Sequence, residues 1–538
     1  MEIRKLLVAN RGEIAVRIFR TCRELGVATV AVAAPDDAGA LHARRADEVV
    51  EISGYLHSEE HIRAARQAGA DAVHPGYGFL AESPDFADAV EAAGLAWIGP
   101  PGDALRAGGD KLAAKRIAAE AGVPVVPAGE PGEIGFPLVV KAAAGGGGRG
   151  MRVVRSPGEL EEALAAARRE AAAAFGDDRV FCERYVERPR HVEIQVLADA
   201  RGEAVALGER ECSIQRRHQK VLEESPSPAL DPDLRERMSA SALAFARALG
   251  YRSAGTVEFM LDGRDFYLLE LNGRIQVEHP VTELVTGVDL VREQLRIAAG
   301  APLQASNTLL QGHAVEVRLY AEDPRTFLPQ AGRVARLRLP EGIRVDPGVE
   351  EGDEVGLAYD PLIAKLIAHG PTRADALERL RAALDETEVE GVVTNLAFLR
   401  WLVFHPAVRA GDTTTAFLVD HPPLSRPPAS LPARPWLGAW RLNLPSPPPA
   451  PPPDLETAAR DHGASAEQSA LTAPMPGTVV KVLVAAGDEV AARQTLCVLE
   501  AMKMETPVVS PYAAVVRAVH VSEGDRVAGG ALLVELEE

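Results

Sequence analysis

Between residues 421 and 453 the chain carries 13 of its 40 prolines in 33 positions, ending in PSPPPAPPP. Such a stretch favours extended polyproline conformation and cannot build a packed core. The polar, alanine-rich DLETAARDHGASAEQSA follows, so residues 421–470 read as a linker. About 50 flexible residues span roughly 40 Å on average. The 538-residue chain is thereby cut into a large N-terminal part and a small C-terminal one, and a joint of this length suggests that one part travels.

The small part contains an internal repeat. GTVVKVLVAAGDEVAARQTLCVLE (477–500) aligns with AVVRAVHVSEGDRVAGGALLVELE (514–537), and AGDEV and EGDRV supply matching turns. Two copies of a strand–turn–strand unit predict an all-β, pseudo-twofold flattened barrel or sandwich. Lys503 falls in the connection AMKMETPVVSPYA (501–513), where a tight turn would expose it.

Residues 1–420 read as α/β. KLLVAN (5–10) suits a buried strand, residues 12–25 show helical spacing of Ile14, Ile18 and Leu25 before Gly26, and ATVAVAA (28–34) suits the next strand. This βαβ opening lacks GxGxxG, so a dinucleotide site is not supported. Helices are predicted over 111–122 and 158–174. Strands are predicted over 137–142 and 151–155, joined by the glycine loop AAAGGGGRG (142–150). TVEFML (256–261) and FYLLELN (266–272) flank Asp262-Gly263, a hairpin signal.

Three segments point to chemistry. In the glycine loop, Gly145 to Gly148 can turn backbone N–H groups toward an anion, and Lys141 before it adds positive charge. It is not a P-loop, since no GK[ST] follows, and a floppy hairpin is the plain alternative. In LLELNGRIQVEH (268–279), a strand continued through Glu278 would place Glu270, Asn272, Arg274, Gln276 and Glu278 on one face. Glu258 lies nearly opposite Glu270 across the hairpin, and facing carboxylates repel unless a cation sits between them. Two carboxylates and an amide oxygen suit Mg²⁺, with Mn²⁺ able to substitute. An arginine fork at Arg274 matches bicarbonate, and Glu278 could take a proton from it. A solvated amphipathic strand and a structural Arg–Glu pair are the plain readings. The third segment, ERECSIQRRHQKVLEE (209–224), concentrates Arg216, Arg217, His218 and Lys220, and by itself reads as a solvated face.

Composition narrows the classes. A net charge of −19 argues against nonspecific nucleic-acid and anionic-membrane binding. No apolar run approaches a membrane span, and MEIRKLLVANRGE does not look like a secretory signal. Cys22, Cys182, Cys212 and Cys497 are scattered without a CxxC pair. A cytoplasmic, multidomain protein is expected.

VANRGEIAVRI, HPGYGFLAE (74–82), GDK (109–111), KAAAGGGGRGM, RHVEIQVL (190–197), CSIQRRHQK (212–220) and RIQVEHPVTE (274–283) resemble the biotin carboxylase component of biotin-dependent carboxylases. APMPG (473–477) and EAMKM (500–504) resemble the biotin carboxyl carrier domain, and the fused order resembles the α subunit of an acyl-CoA carboxylase. The resemblance implies an N-terminal Rossmann-like α/β domain (1–110), an ATP-grasp domain (111–310), a biotin carboxylase C-terminal domain (311–420), the linker, and a biotinyl carrier (471–538). It implies that Lys111 and Lys141 contact ATP phosphates under a lid containing Gly147 and Gly148. Glu183, Arg184, Tyr185 and Val186 would line the adenine pocket with His191 and Gln215, and His218 would lie near the phosphates. Glu258, Glu270 and Asn272 would hold the metal. Lys220, Arg274, Gln276 and Val277 would position bicarbonate, with Glu278 as its base. Arg318 would stabilise the biotin enolate, Tyr77 would lie near biotin, and Lys503 would carry biotin as an amide. The implied reaction makes carboxyphosphate from bicarbonate and ATP, then carboxylates the tethered biotin. A carboxyltransferase β subunit, a biotin protein ligase and a homodimer of carboxylase units are the implied partners.

Two features depart from the family. Leu271-Asn272-Gly273-Arg274 stands where Met-Asn-Thr-Arg is usual, and Gly273 could loosen Arg274. The docking domain often found between carboxylase and carrier is missing, although PWLGAWRLN (435–443) looks like its entry. Other readings are a pyruvate carboxylase-like subunit, another ATP-grasp ligase with a lipoyl-type carrier, and a non-catalytic carrier or scaffold. The Met502 and Met504 flanks favour biotin over lipoate.

Overall fold

The computed structural model describes residues 2–143, 151–175, 177–216, 219–304, 309–424, 470–473, 477–501, 504–527 and 531–537. Gly147, Gly148, His218 and Lys503, and nearly all of the linker, lie outside this set.

The chain opens with a parallel sheet. Strands β1 (Lys5–Val8), β2 (Ala28–Ala33), β3 (Glu48–Glu51), β4 (Ala72–His74) and β5 (Ala96–Trp97) stand in the order β3-β2-β1-β4-β5. The helix Gly12–Leu25 follows β1 and ends where Gly26 adopts φ 70°, its N–H reaching back to the last turn. Its buried face is Ile14, Ile18, Phe19 and Cys22, whereas Leu25, expected on that stripe, is exposed.

A three-stranded antiparallel sheet carries the ends of the glycine loop. It consists of β6 (Leu138–Ala142), β7 (Arg152–Val154) and β8 (Val180–Arg184), in the order β7-β6-β8. The helix Leu160–Phe175 covers it, with Ala167 packed among Leu138, Val140, Val154 and Cys182.

The centre is one antiparallel sheet of eight strands. Strands β9 (Arg190–Ala198), β10 (Ala204–Arg216), β11 (Gln219–Ser225), β12 (Ser253–Asp262), β13 (Asp265–Asn272) and β14 (His313–Tyr320) run in the order β13-β12-β9-β10-β11-β14, continued by Leu362–Gly370 and Arg344–Pro347. The β11–β14 pairing, Leu222 to Val317 through Ser225 to Ala314, carries the sheet across the expected boundary at 310.

Three sequence expectations change here. The strand with the polar face stops at Asn272, and residues 273–278 form a loop and turn before the helix His279–Thr286. Arg274, Gln276 and Glu278 therefore do not share a strand face with Glu270. Gly273 breaks the strand, and Pro280 suits the first turn of the helix that follows. The segment 209–224 is a β10–β11 hairpin in which Arg216 and Lys220 are buried in ion pairs, so its solvated-face reading fails for these two residues. The β12–β13 turn is Gly263-Arg264, one residue later than expected, with Gly263 at φ 62°.

The C-terminal part is a β sandwich. Two four-stranded sheets enclose Val479, Leu496, Leu499, Val516, Leu533 and Leu536. Gly477–Val482 and Ala514–Val519 occupy equivalent places in the two halves, as do Thr495–Ala501 and Leu532–Glu537. The register pairs Ala501 with Met504 on either side of Met502-Lys503.

Candidate active site

Glu258 and Glu270 are directly opposed across β12 and β13. Burial raises the Glu270 pKa, and the charge of Glu258 raises it further. Asn272, at the end of β13, donates Nδ2–H to Glu258 Oε1 at 2.7 Å. The two opposed carboxylates, with the Asn272 amide oxygen turned here to Arg274, supply oxygen donors that fit a hard divalent cation. His191 Nε2 lies 2.8 Å from Glu258 Oε2, and Gln215 Nε2 lies 2.6 Å from His191 Nδ1. Burial alone would lower the imidazole pKa, but Glu258 outweighs it and leaves it raised.

The second half of the site gathers on β10, β11, β14 and the loop after β13. Lys220 Nζ donates to Glu258 Oε1 at 2.8 Å and Glu278 Oε1 at 2.6 Å, and also to Glu193. Burial opposes its charge, yet the three carboxylates raise its pKa well above normal. The other Glu278 oxygen lies 3.1 Å from Arg318 Nη2. Burial pushes the Glu278 pKa up, but Lys220, Arg318 and Arg210 outweigh it and leave a carboxylate ionised below the ordinary range. Arg318 also donates to Glu223 at 2.7 Å. Glu223 is fully buried, and burial raises it to about 7.

Gln276 is clamped between partners: Nε2 donates to Glu258 Oε1 at 2.8 Å, and Oε1 accepts from Arg210 at 2.8 Å. Arg210 is fully buried and also donates to Glu193, Gln195, Thr256 and Thr282. Arg274 Nη2 donates to Asn272 Oδ1 at 2.8 Å, and its Nε lies 3.2 Å from Glu82 Oε2. The Val277 carbonyl accepts from Lys365 Nζ at 2.9 Å. Tyr77 donates its hydroxyl to Glu13 at 2.7 Å. Burial, Glu13 and then Asp360 raise the Tyr77 pKa, and the charge of Arg318 opposes the burial that raises Asp360.

On the lid side, Lys141 Nζ lies 2.7 Å from Glu183, and Lys115 pairs with the same carboxylate. Burial, and then Lys111, holds Lys141 down to about 8, and burial holds Lys115 down to about 6. Lys111 opens its helix behind the Asp110 cap, and burial leaves its pKa lowered despite the opposing charge of Glu270. Arg184 donates to the Tyr267 hydroxyl at 2.8 Å, Tyr185 N–H donates to Pro137 O, and Val186 is buried. The sequence reading passed over Glu82, Lys115, Glu193, Arg210, Glu223 and Lys365. Glu82, Glu193 and Arg210 stand in or beside motif segments and could have been flagged there, whereas Lys365 has no sequence signal.

Four family models match in order. Residues 2–105 match the biotin carboxylase N-terminal domain, 110–306 the carbamoyl-phosphate synthase L chain ATP-binding domain, 316–420 the biotin carboxylase C-terminal domain, and 469–536 the biotin-requiring enzyme domain. A biotin carboxylase of Halalkalibacterium halodurans is 47% identical over 441 residues, which is 78% of this chain and 98% of that protein. The chain belongs to the biotin carboxylase family. It joins a biotin carboxylase to a biotinyl domain. The propionyl-CoA carboxylase alpha chain of Ruegeria pomeroyi is 49% identical over 464 residues (78% of this chain, 68% of that one). The human mitochondrial propionyl-CoA carboxylase alpha chain is 37% identical over 668 residues (99% and 91%). The mitochondrial methylcrotonoyl-CoA carboxylase subunit alpha of Dictyostelium discoideum is 46% identical, and this chain spans 64% of it. Among solved structures, the biotin carboxylase domain dimer of the Hydrogenobacter thermophilus 2-oxoglutarate carboxylase, in complex with MgADP, ADP and bicarbonate, superposes with a TM-score of 0.76. It is 43% identical and covers 78% of this chain and 98% of that one.

Proposed function

We propose that this biotin carboxylase carboxylates biotin on its own carrier and serves as the α subunit of an acyl-CoA carboxylase. The observation that carries the reading is the Glu278 carboxylate held between Lys220 and Arg318, at 2.6 and 3.1 Å. A base for bicarbonate, a cation for its charge and a cation for an oxyanion thus converge on one point.

Biotin as an amide on Lys503 supplies the ureido nitrogen that accepts the carboxyl group, and Mg²⁺ supplies positive charge at the ATP phosphates. Glu258, Glu270 and Asn272 hold the metal. Lys111, Lys141 and the glycine lid with Gly147 and Gly148 hold the phosphates, with His218 beside them. Glu183, Arg184, Tyr185, Val186, His191 and Gln215 bound the nucleotide. Arg274, Lys220, Gln276 and Val277 seat bicarbonate, and Glu278 takes its proton as it attacks the γ-phosphate to form carboxyphosphate. Lys220 and Arg318 hold Glu278 as a carboxylate, and a shift of either cation toward an anionic substrate would raise its basicity. Arg318 and Tyr77 face the biotin end, where Arg318 stabilises developing negative charge.

The proposed units are 1–110, 111–310 and 311–420 for the carboxylase, 421–470 for the linker and 471–538 for the carrier. We place the chain in the cytoplasm; among the described residues no helix is long and apolar enough to cross a membrane. A carboxyltransferase β subunit takes the carboxyl group, a biotin protein ligase modifies Lys503, and the carboxylase units pair as homodimers. The relatives favour propionyl-CoA or methylcrotonoyl-CoA as acceptor.

The decisive assay is bicarbonate-dependent ADP release stimulated by free biotin. Arg274→Ala should abolish biotin-coupled turnover, and Lys503→Arg should spare turnover on free biotin while preventing self-carboxylation. ADP release indifferent to bicarbonate would refute the reading. Avidin capture from the source cells, followed by carbon fixation on a panel of acyl-CoAs, identifies the acceptor.

A further inference from the structure

In the segment VANRGE at the end of β1, the polar side chains of Asn10 and Glu13 run into the interior. Asn10 Nδ2 donates to the carbonyls of Pro75 and Tyr77, both at 2.7 Å, and clasps the turn that bears Tyr77. A Cβ on Gly76 would lie 2.8 Å from that Nδ2, so only glycine lets the turn sit so close to Asn10. Glu13 receives the Tyr77 hydroxyl on one oxygen, and its other oxygen lies 2.9 Å from Lys365 Nζ.

Lys365 stands in the middle of strand Leu362–Gly370, and its side chain is wholly buried. An ammonium group is costly to bury unless it is paired and hydrogen-bonded. Here Glu13 supplies the countercharge, Asp346 Oδ2 lies 3.8 Å away, and the remaining contact is the Val277 carbonyl at 2.9 Å. That carbonyl belongs to the peptide leading directly into Glu278. One amine thus ties together three separate stretches of chain: the N-terminal helix with Tyr77, the loop 273–278, and the C-terminal strands.

We infer that Lys365 and Glu13 are positioning residues that fix the Val277–Glu278 peptide and the Tyr77 hydroxyl relative to one another, so that the bicarbonate end and the biotin end of the site are held in register. The inference rests on the reaction proposed above. In the proposed reaction each acts through the group it is bonded to, Lys365 through the Val277 carbonyl and Glu13 through the Tyr77 hydroxyl.

The test compares Lys365→Met, Lys365→Arg and the double variant Lys365→Met/Glu13→Gln, which removes both charges and leaves an acceptor for Tyr77. In each folded variant, KM for bicarbonate and for ATP is measured together with amide hydrogen exchange over residues 275–279. The expected result for Lys365→Met and for the double variant is at least a tenfold rise in KM for bicarbonate, KM for ATP within twofold, and faster exchange in that segment. Lys365→Arg should recover part of the bicarbonate effect. Unchanged exchange, or equal losses for ATP and bicarbonate, overturns the inference. A wild-type chain without bicarbonate-dependent turnover would remove the reaction instead, and the exchange result would still decide whether Lys365 holds the loop.

Discussion

Glu82 holds Arg274 alongside Asn272: one carboxylate oxygen lies 3.2 Å from the arginine Nε, and the other accepts the Gly273 N–H at 3.2 Å. Glu82 is half exposed, so this pair is worth little as stability and more as orientation. Glu82→Gln keeps the size and loses the charge. It should leave the melting temperature nearly unchanged and raise KM for bicarbonate roughly threefold to tenfold, about 1 kcal/mol of lost charge-assisted bonding. Steady-state kinetics at several bicarbonate concentrations checks this.

Gly273 could loosen Arg274, and Leu105 packs closely against the glycine. A Cβ there would fall 2.5 Å from Leu105 Cδ2, so the leucine fills the space a threonine would need. Gly273→Thr alone should therefore destabilise the protein by about 1–3 kcal/mol through overpacking. Combining it with Leu105→Ala should cost less than the sum of the two single changes. Denaturant unfolding of the four proteins of the cycle measures the coupling.

Lys141 and Lys115 predict a proton linkage. The folded pKa of Lys141, about 8, lies below its unfolded value of 10.5. The unfolded chain therefore binds more protons between these values; the penalty of burying the amine is felt in full below about pH 8 and relieved as pH rises toward 10.5. If triphosphate sits against these lysines as proposed, it favours the charged amine. Nucleotide binding should take up protons near pH 8, less at pH 7 where Lys115 supplies most of the uptake, and almost none near pH 5. Calorimetry in buffers of different ionisation enthalpy reads this number, and Lys141→Met should remove the component near pH 8.

On the proposed reaction, Arg318→Gln should separate two half-reactions. Its partners Glu223 and Glu278 are both buried, so Arg318→Gln should cost about 3–5 kcal/mol of stability. In the protein that folds, biotin-stimulated turnover should fall about 10²–10³-fold, the usual loss of one oxyanion donor. The slow bicarbonate-dependent ATP hydrolysis without biotin should fall far less. Parallel assays with and without free biotin distinguish the two.

Elements that follow from local pattern were legible. The first helix, the glycine-loop strands, the opposed pair Glu258–Glu270 and the 37-residue repeat all follow from spacing and turn chemistry. The path of residues 273–278 was not. Polar alternation continues to Glu278 in sequence, but Gly273 and the turn before Pro280 take the chain out of the sheet. Alternation cannot distinguish a strand from a loop whose polar groups find partners on other strands. The buried state of Lys220 and Arg216 was hidden for a related reason, since their countercharges, Glu193, Glu258, Glu278 and Glu322, come from elsewhere in the chain. Lys365 was invisible because a lone lysine in an apolar strand shows nothing of Glu13, some 350 positions earlier.

The β11–β14 ladder bears on how proteins of this kind can be taken apart. A fragment ending near residue 310 would leave the outer edge of β11 open where β14 should lie, an invitation to pair with a stranger. The carboxylase should therefore be inherited, expressed and recombined only as one piece. The described carrier strands pair among themselves around a core of their own, so the carrier should keep its fold when it is joined to another carboxylase.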